Sequence, residues 1–283
     1  MITPDEEKAV LARAYVPEHS VELMTRISGG EPFLFEDYFC CRTRYGVIVV
    51  GYPLQDEFDV VRFEKTLGRI AKAFRPSSLS IIAPQAPPSY QAAFVERKTD
   101  VYYTLNLPAK PPGGTLGRMV RKAAELAMVE QAMVLTQDHR DLAREFTERI
   151  GPPPRITELL GGMWRYVGYA GDCMVLNARH GDGRLAAFFV VDCAPKEFAS
   201  YIIGCHSKKD YLPGASDLLM SRLIAYGSDL GKRYIHLGIG VNRGIRQFKE
   251  KWGGIPATPY ELCEIALRKP SLLDALLGYA VRP

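Results

Sequence analysis

A short cationic segment, "GIRQFKEKWGG" at 244–254, carries the side chain best suited to chemistry in this sequence. If the segment is helical, its apolar side chains share one face, which consists of Ile245, Phe248 and Trp252. Lys249 falls at the rim of that face, where a fixed cation can stabilise negative charge on a substrate oxygen. The alternative is that Lys249 extends its head group into water, as Lys251 is expected to do.

A second cationic stretch, "KKDYLPGAS" at 208–216, precedes a predicted helix. A helix N-terminus offers unpaired amides and the positive end of the helix dipole, which suit a phosphate group. The candidate phosphate ligands are Lys208, Lys209, Gly214, Ala215 and Ser216. Pro213 removes one amide donor, so an ordinary loop with Ser216 or Asp217 as N-cap remains the alternative.

A further basic cluster lies on a predicted helix at 116–127, opposite an apolar arc. Such a row of cations suits the phosphate of a nucleotide, a tRNA or a phospholipid. A solvated helix face is the alternative interpretation. The candidate substrate-binding residues are Arg118, Arg121 and Lys122 of this helix, together with Arg246.

Hydrophobic periodicity predicts the elements that must position these side chains. The first half contains a helix over 56–74 and strands over 45–54, 78–85 and 100–108. The strand at 100–108 alternates like an exposed edge strand. The sharpest change in composition follows, at "PAKPPGG" (108–114).

In the second half, the same periodicity predicts a strand and a helix, and then a regular series of elements. That series is strand, strand, strand, loop, helix, strand, helix, strand, with "GDG" at 181–183 as a hairpin turn. Gly231 is placed to end the long helix that follows the 208–216 loop. Together the two halves predict a mixed α/β fold.

The bulk composition excludes several classes of protein. Of 283 residues, 47% are hydrophobic and 24% charged, which is ordinary for a globular chain, and the net charge of +4 permits an anionic partner without demanding one. Six cysteines without a CxxC pair indicate buried free thiols and a reducing compartment. No secretory signal or membrane span is evident, so we expect a cytoplasmic protein.

Two segments resemble the FemAB-like branch of the Gcn5-related N-acetyltransferase (GNAT) superfamily. "LGRMVRKAAELAMVEQAMVL" at 116–135 is similar to the family's Arg-x-x-Arg-Lys-Ala helix, and "LGIGVNRGIRQFKEKWGG" at 237–254 to its Phe-Lys-x-x-Phe-Gly segment. Trp252 stands where the second Phe is usual. The resemblance implies two tandem GNAT-like domains, a degenerate one over 1–114 and an acyltransferase domain over 115–283.

The resemblance also implies a reaction and an active-site lysine. The family transfers an activated acyl or aminoacyl group to an amine without a metal or a tightly bound cofactor, and its active-site lysine corresponds to Lys249. The long helical arm of tRNA-dependent cell-wall members is absent from 155–283, which favours acyl-CoA over aminoacyl-tRNA as the donor. Only Gly214-Ala215 matches the family's glycine-rich CoA loop.

A proton acceptor for the attacking amine is harder to assign. His206 and His236 lie at or near the ends of predicted strands of the second half, and Tyr260 on a late strand can act as an acid. The catalytic candidates are thus Lys249, His206 and Tyr260. No serine-triad order, HExxH or P-loop motif occurs, which argues against hydrolase, zincin and P-loop functions.

Two rival functions remain open at this stage. The incomplete glycine loop and the uncertain base favour a non-catalytic GNAT-fold binding module. An aminoacyl-tRNA-dependent transferase acting on a cell-wall precursor or a lipid is the other, and the apolar "SLLDALLGYAV" at 271–281 is relevant to it. That segment lacks a basic face, so packing on the protein body is expected instead. The acceptor and the oligomeric state are left open.

Overall fold

One continuous eleven-stranded sheet organises the part of the chain that the computed structural model describes, residues 2–44, 46–152 and 154–267. The strands of the first half are β1 Glu31–Phe35, β2 Tyr38–Arg42, β3 Gly46–Val50, β4 Ser78–Ala83 and β5 Phe94–Asn106. Those of the second half are β6 Ala127–Ala132, β7 Cys173–His180, β8 Leu185–Asp192, β9 Phe198–His206, β10 Tyr234–Ile239 and β11 Ile255–Ala266. The spatial order is β1-β2-β3-β4-β11-β5-β10-β9-β8-β7-β6.

The two halves exchange strands at the centre of this sheet. β5 runs antiparallel to both β10 and β11, and β11 in turn pairs antiparallel with β4. The prediction that 100–108 forms an exposed edge strand is therefore wrong. The alternation of apolar and polar residues shows only which face of the strand is buried. The strand's place at the centre of the sheet depends on partner strands distant in sequence. The boundary between 1–114 and 115–283 stays a prediction, and β5 and β11 each pair across it.

Helices cover both faces of the sheet. The first half contains α1 Pro4–Arg13, α2 Val21–Ser28 and α3 Val60–Phe74. The second half contains α4 Gly114–Leu126, α5 Gln137–Ile150, α6 Pro154–Tyr166, α7 Ala215–Asp229 and α8 Arg243–Lys251. Short 3-10 segments occupy Pro17–His19 and Pro88–Ala93. The mixed α/β class is thus confirmed. The sequence patterns did not predict α1, α2, α6, β1 and β2.

Apolar stripes decide which face each helix covers. Phe63, Leu67 and Ile70 of α3, spaced as its periodicity predicted, are fully buried in the first half. In the second half α4 and α7 share one core, built around Leu219 and Leu223. α5 and α6 cover the opposite face with α2, which packs against α6. The second-half sheet is therefore sandwiched between helices, which explains its continuous apolar strands.

The local predictions at turns and cysteines agree with the structure. The "GDG" turn joins β7 to β8, with Gly183 at a φ of +91°, and Gly231 follows α7 at a φ of +68°. All six cysteines are free, and only Cys193 is less than fully buried. No helix among the described residues is long and apolar enough to cross a bilayer. The segment 271–281 lies outside the described residues.

Strand exchange predicts that the two halves fold as one unit. A fragment spanning 115–283 lacks β5, so β10 and β11 lose the strand that joins them and expose unpaired edges. We expect this fragment to aggregate or remain unfolded when expressed alone. The full chain should unfold in a single calorimetric transition, with calorimetric and van't Hoff enthalpies equal.

Differential scanning calorimetry of the full chain and circular dichroism of the fragment check this expectation. Co-expression of the fragment with 1–114 serves as the control, because it returns β5 without restoring the covalent link. Two separate transitions in the full chain, or a folded fragment, would contradict the interlocked arrangement.

Candidate functional site

A cleft opens in the sheet between β9 and β10. These parallel strands pair only from Phe198 and Tyr234 to Ser200 and His236, although β9 continues to His206 and β10 to Ile239. Where the pairing ends, β9 shifts register against β8 and β10 shifts register against β5. Bulges of this kind are common beside active sites, because they re-aim strands and terminate pairing. We call the gap beyond Ser200 and His236 the β9–β10 cleft.

The side chain of Lys249 reaches from α8 into this cleft. The Gly240 amide donates to the Val101 carbonyl of β5 at 3.2 Å, so the Ile239 carbonyl of the same peptide points away from β5, toward β9. Lys249 Nζ donates to that Ile239 oxygen at 2.5 Å. Its ammonium therefore lies on the cleft side of β10.

Gly238 gives a second measure of the position of the ammonium. A Cβ built on Gly238 would lie 3.8 Å from Lys249 Nζ and 3.8 Å from the Tyr201 carbonyl oxygen of β9. The ammonium and a β9 carbonyl thus flank the same glycine at the point where the strands diverge. Gly238 also has a φ of +72°, a conformation that a side chain would strain.

Lys249 is buried rather than placed at a solvent-exposed rim. Only 2% of the residue is exposed, and burial lowers the pKa of its ammonium to about 7, against the attraction of the Asp100 carboxylate. Nζ lies 5.6 Å from the ring centroid of Tyr103, within cation–π range. Among the described residues its hydrogen-bond acceptor is a carbonyl and it has no ion-pair partner. A lysine with a pKa near 7 can donate or accept a proton at neutral pH.

The packing of α8 fixes where Lys249 points. Asn242 caps the helix, its side chain accepting from the Ile245 amide at 3.0 Å. At the other end, Trp252 Nε1 donates to Asp217 at 2.9 Å, and Lys251 forms an ion pair with the same carboxylate at 2.6 Å. α8 is thus tied to the start of α7. Lys251 remains exposed, as expected, while it makes this contact.

The predicted phosphate loop begins with amides that are already occupied. Glu145 of α5 accepts from the Lys208 amide at 2.5 Å and the Lys209 amide at 3.3 Å, and from the Ser207 hydroxyl at 2.7 Å. Arg149 lies 3.5 Å from the same carboxylate. The side chains of Lys208 and Lys209 are exposed. An anion of the protein therefore holds the first turn of this loop.

The start of α7 packs against the apolar arc of α4, opposite its basic face. Gly214 caps α7 with a φ of +78°, and a Cβ there would come within 2.9 Å of Met119 in α4. Arg118, Arg121 and Lys122 on this helix are exposed. Of the other predicted loop ligands, Ala215 is buried and Ser216 half-buried. The structure thus places the end of the predicted loop beside α4, whose cations lie on the face turned away from α7.

The proposed base His206 lies at the exposed end of β9. Its Nε2 is 3.2 Å from Arg149 Nη2, and the same guanidinium nitrogen donates to the His206 carbonyl at 3.0 Å. Partial burial and the neighbouring Arg149 charge lower the pKa of the imidazole. The ring is therefore a hydrogen-bond acceptor toward Arg149, and no contact joins it to Lys249 in the described chain.

Tyr260 and His236 meet around Tyr102, on the sheet face under α1 and α2. The Tyr102 ring lies edge-on to Tyr260 at 5.1 Å and to His236 at 4.9 Å. His236 Nδ1 accepts from the Gly238 amide at 3.2 Å, and burial followed by the Lys249 charge lowers its pKa to about 3. His236 is thus a neutral imidazole whose proton resides on Nε2, which makes it a donor rather than a base.

The residues that sequence reasoning missed come mainly from β5. Tyr103 stacks against Lys249 and donates to Glu250 at 3.3 Å, and Asp100 contacts the turn before α8. Arg246 approaches Asp100 at 3.6 Å with its side chain half exposed. Nothing in the "DVYYTLN" alternation indicates that this strand enters the second half. The described residues contain no cluster of three or more His, Cys, Asp or Glu side chains arranged to hold a metal.

A family model and several solved structures are similar to this chain. Residues 113–250 match the model described as "Acetyltransferase (GNAT) domain". The structure of L-PGS from Bacillus licheniformis is 14% identical with a TM-score of 0.59, and covers 100% of this chain and 98% of its own. FemX is 11% identical with a TM-score of 0.60, and covers 98% of each chain.

A tandem GNAT protein from the clavulanic acid biosynthesis pathway is similar over 95% of this chain and 98% of its own, at 12% identity and a TM-score of 0.54. At such identities the likeness shows the fold. No protein of curated function matches the chain in sequence. The predicted resemblance to FemAB-like, tandem GNAT proteins is confirmed, and with it the GNAT-type fold.

Burial of Lys249 predicts a pH-dependent stability. Because burial lowers its pKa from 10.5 to about 7, the unfolded chain binds more protons than the native chain between these values, and stability rises with pH across that window. Lys249→Met removes the titrating group while filling the same space. We expect the variant to be more stable than the native protein by about 1–4 kcal/mol at pH 6. The difference should shrink toward pH 10.

Urea unfolding at pH 6, 8 and 10 measures this difference. Lys65→Met, at an exposed position of α3, is the matched control and should leave the free energy of unfolding unchanged at each pH. A Lys249→Met difference that stayed constant with pH would show that the ammonium is not strained by burial.

Proposed function

We propose that this protein transfers an acyl or aminoacyl group from an activated donor to an amine in the β9–β10 cleft. The observation that carries the proposal is the Lys249 ammonium, which has no ion-pair partner in the described part of the chain and lies where the two strands diverge. The match to the GNAT model supports acyl transfer as the class of reaction. The low polarity around the buried amine would strengthen any bond that it makes to a charged oxygen.

The chemistry assigned to Lys249 follows from the charge changes of acyl transfer. The acceptor amine attacks the donor carbonyl carbon, and the carbonyl oxygen takes up the electron pair of the broken π bond. Lys249 would turn from the Ile239 carbonyl to donate to this oxyanion. As the intermediate collapses, the oxygen returns its electron pair and the bond to the leaving thiolate or alkoxide breaks. The amine's proton passes to the leaving group or to solvent.

Acyl-CoA is the donor that we propose first, since GNAT domains generally use it. Its phosphates would bind at Gly214, Ala215 and Ser216 at the start of α7. Lys208 and Lys209 would contribute charge from the loop. The residues proposed to bind the substrate are Arg118, Arg121, Lys122 and Arg246. His206 and Tyr260 stay proposed for proton transfer, and no contact described here decides between them.

One observation favours an aminoacyl ester as the second candidate donor. Glu145 occupies the Lys208 and Lys209 amides with a carboxylate, which would repel a diphosphate from that turn of the loop. Pro213 removes a further amide. A donor anchored on the exposed cations of α4 would avoid both obstacles. A tRNA-linked or lipid-directed aminoacyl transfer is therefore retained as the alternative.

Replacement of Lys249 tests the proposed reaction directly. Lys249→Met should lower turnover by about 100-fold or more, because loss of one oxyanion donor typically costs 10²–10³-fold in kcat. Turnover is measured by mass spectrometry of amine pools incubated with acetyl-CoA, longer acyl-CoAs or charged tRNA. Lys65→Met is the control and should retain full activity. Equal turnover by Lys249→Met and the native protein would remove Lys249 from the chemistry.

Binding measurements separate an enzyme from a non-catalytic module. A donor present at 100 times its Kd should stabilise the native chain by about 2.7 kcal/mol in a thermal unfolding assay. Stabilisation by acyl-CoA or by charged tRNA together with product formation supports the proposal. The absence of both with every donor would favour the binding module.

Glu145 provides a test of the donor. Removing its charge in Glu145→Gln should tighten CoA binding about fivefold if the diphosphate uses this loop, since one such charge contributes about 1 kcal/mol. Isothermal titration calorimetry with CoA measures the change. Glu148→Gln, on the same helix, is the control and should leave the CoA affinity unchanged. An unchanged affinity in Glu145→Gln would place the donor elsewhere.

A further inference from the structure

The turn between β10 and α8 holds a strained residue. Val241 has a φ of +56°, in the left-handed region that a β-branched side chain rarely adopts. The turn is tight, because the Asn242 amide donates to the Gly240 carbonyl only two residues back, at 2.6 Å. Such strain persists where the surroundings over-determine the backbone, and it concentrates at functional sites.

A single carboxylate from β5 stabilises this strained turn. Asp100 Oδ2 accepts from the Val241 amide at 2.7 Å, and Oδ1 accepts from the Gly240 amide at 3.1 Å. Oδ1 also accepts from the amide of the next residue, Val101, at 2.8 Å. Only 11% of the Asp100 side chain is exposed, so these bonds are shielded from competing water.

The turn connects directly to the lysine of the proposed site. It starts at Ile239, whose carbonyl accepts from Lys249, and it leads through the Asn242 cap into the helix that carries Lys249. Asp100 therefore fixes both the acceptor strand and the helix on which the ammonium is mounted. Its negative charge also favours the protonated form of Lys249.

We propose that Asp100 is a positioning residue, by which the first half of the chain sets the geometry of the lysine in the second half. Asp100 lies on β5, before the predicted boundary at 114, yet its carboxylate contacts the β10–α8 turn and Arg246 of α8, besides its own strand. The first half of the chain thus contributes a residue to the proposed site. This inference rests on the proposed function of Lys249, but its first test does not need turnover.

That first test measures the titration of Lys249 in Asp100→Asn by NMR of lysine labelled at Cε. Titratable or charged groups on the elements around the ammonium include Asp100 and Tyr103 of β5, Tyr201 of β9, His236 of β10, and Arg246, Glu250 and Lys251 of α8. Removing the Asp100 charge should move the Lys249 midpoint to lower pH and change its chemical shift. Lys249→Arg assigns the signal, and Glu96→Gln on the same strand is the control.

A rescue experiment separates positioning from general stability. Asp100→Asn should lower kcat at least tenfold while KM changes little. Val241→Gly accepts the positive φ without strain, so the double variant should recover a large part of kcat and keep the lowered midpoint. An unchanged Lys249 midpoint and chemical shift in folded Asp100→Asn would overturn the inference. If the native chain shows no turnover, the NMR result alone decides it, and the proposed function fails separately.

Discussion

The insertion of β5 between β10 and β11 is the constraint on which the rest of this structure depends. β5 pairs along nearly its full length with β11 and over its second part with β10, so it joins the strands of the two halves into one sheet. Backbone hydrogen bonds leave this strand no freedom to slide, because a one-residue slip would turn its buried tyrosines to the opposite face. Tyr102, Tyr103 and Asp100 consequently occupy fixed positions at the cleft.

A buried lysine is costly, and the fold keeps Lys249 buried beside a carbonyl, an aromatic ring and a nearby carboxylate that partly offset its desolvation. The strained Val241 turn adds to that cost. The strained turn leads into α8, the helix that carries Lys249. A chain selected for stability alone would place an apolar residue at 249 and a glycine at 241. Their presence together is the physical argument that this corner of the molecule is functional.

The outline of the second half could be predicted from the sequence, because its signals are local. Alternation, the "GDG" turn and the helical spacing of apolar residues depend on neighbours within a few positions, and β7 to β10, α7 and α8 follow them. α6 was missed because it follows a proline-rich break that predicted a loop. The role of β5 was missed because its partners are more than a hundred residues away along the chain.

The sequence by itself determined most elements of the second half and singled out Lys249 as the candidate active-site residue, and the resemblance supplied the GNAT-type order. Only the tertiary structure decided that Lys249 is buried, that it lies where β9 and β10 diverge, and that Asp100 fixes the turn before it. It also showed that Glu145 occupies the first amides of the predicted phosphate loop. The reason is physical: periodicity records which side of an element is apolar, whereas burial and charge depend on which distant strand is packed alongside.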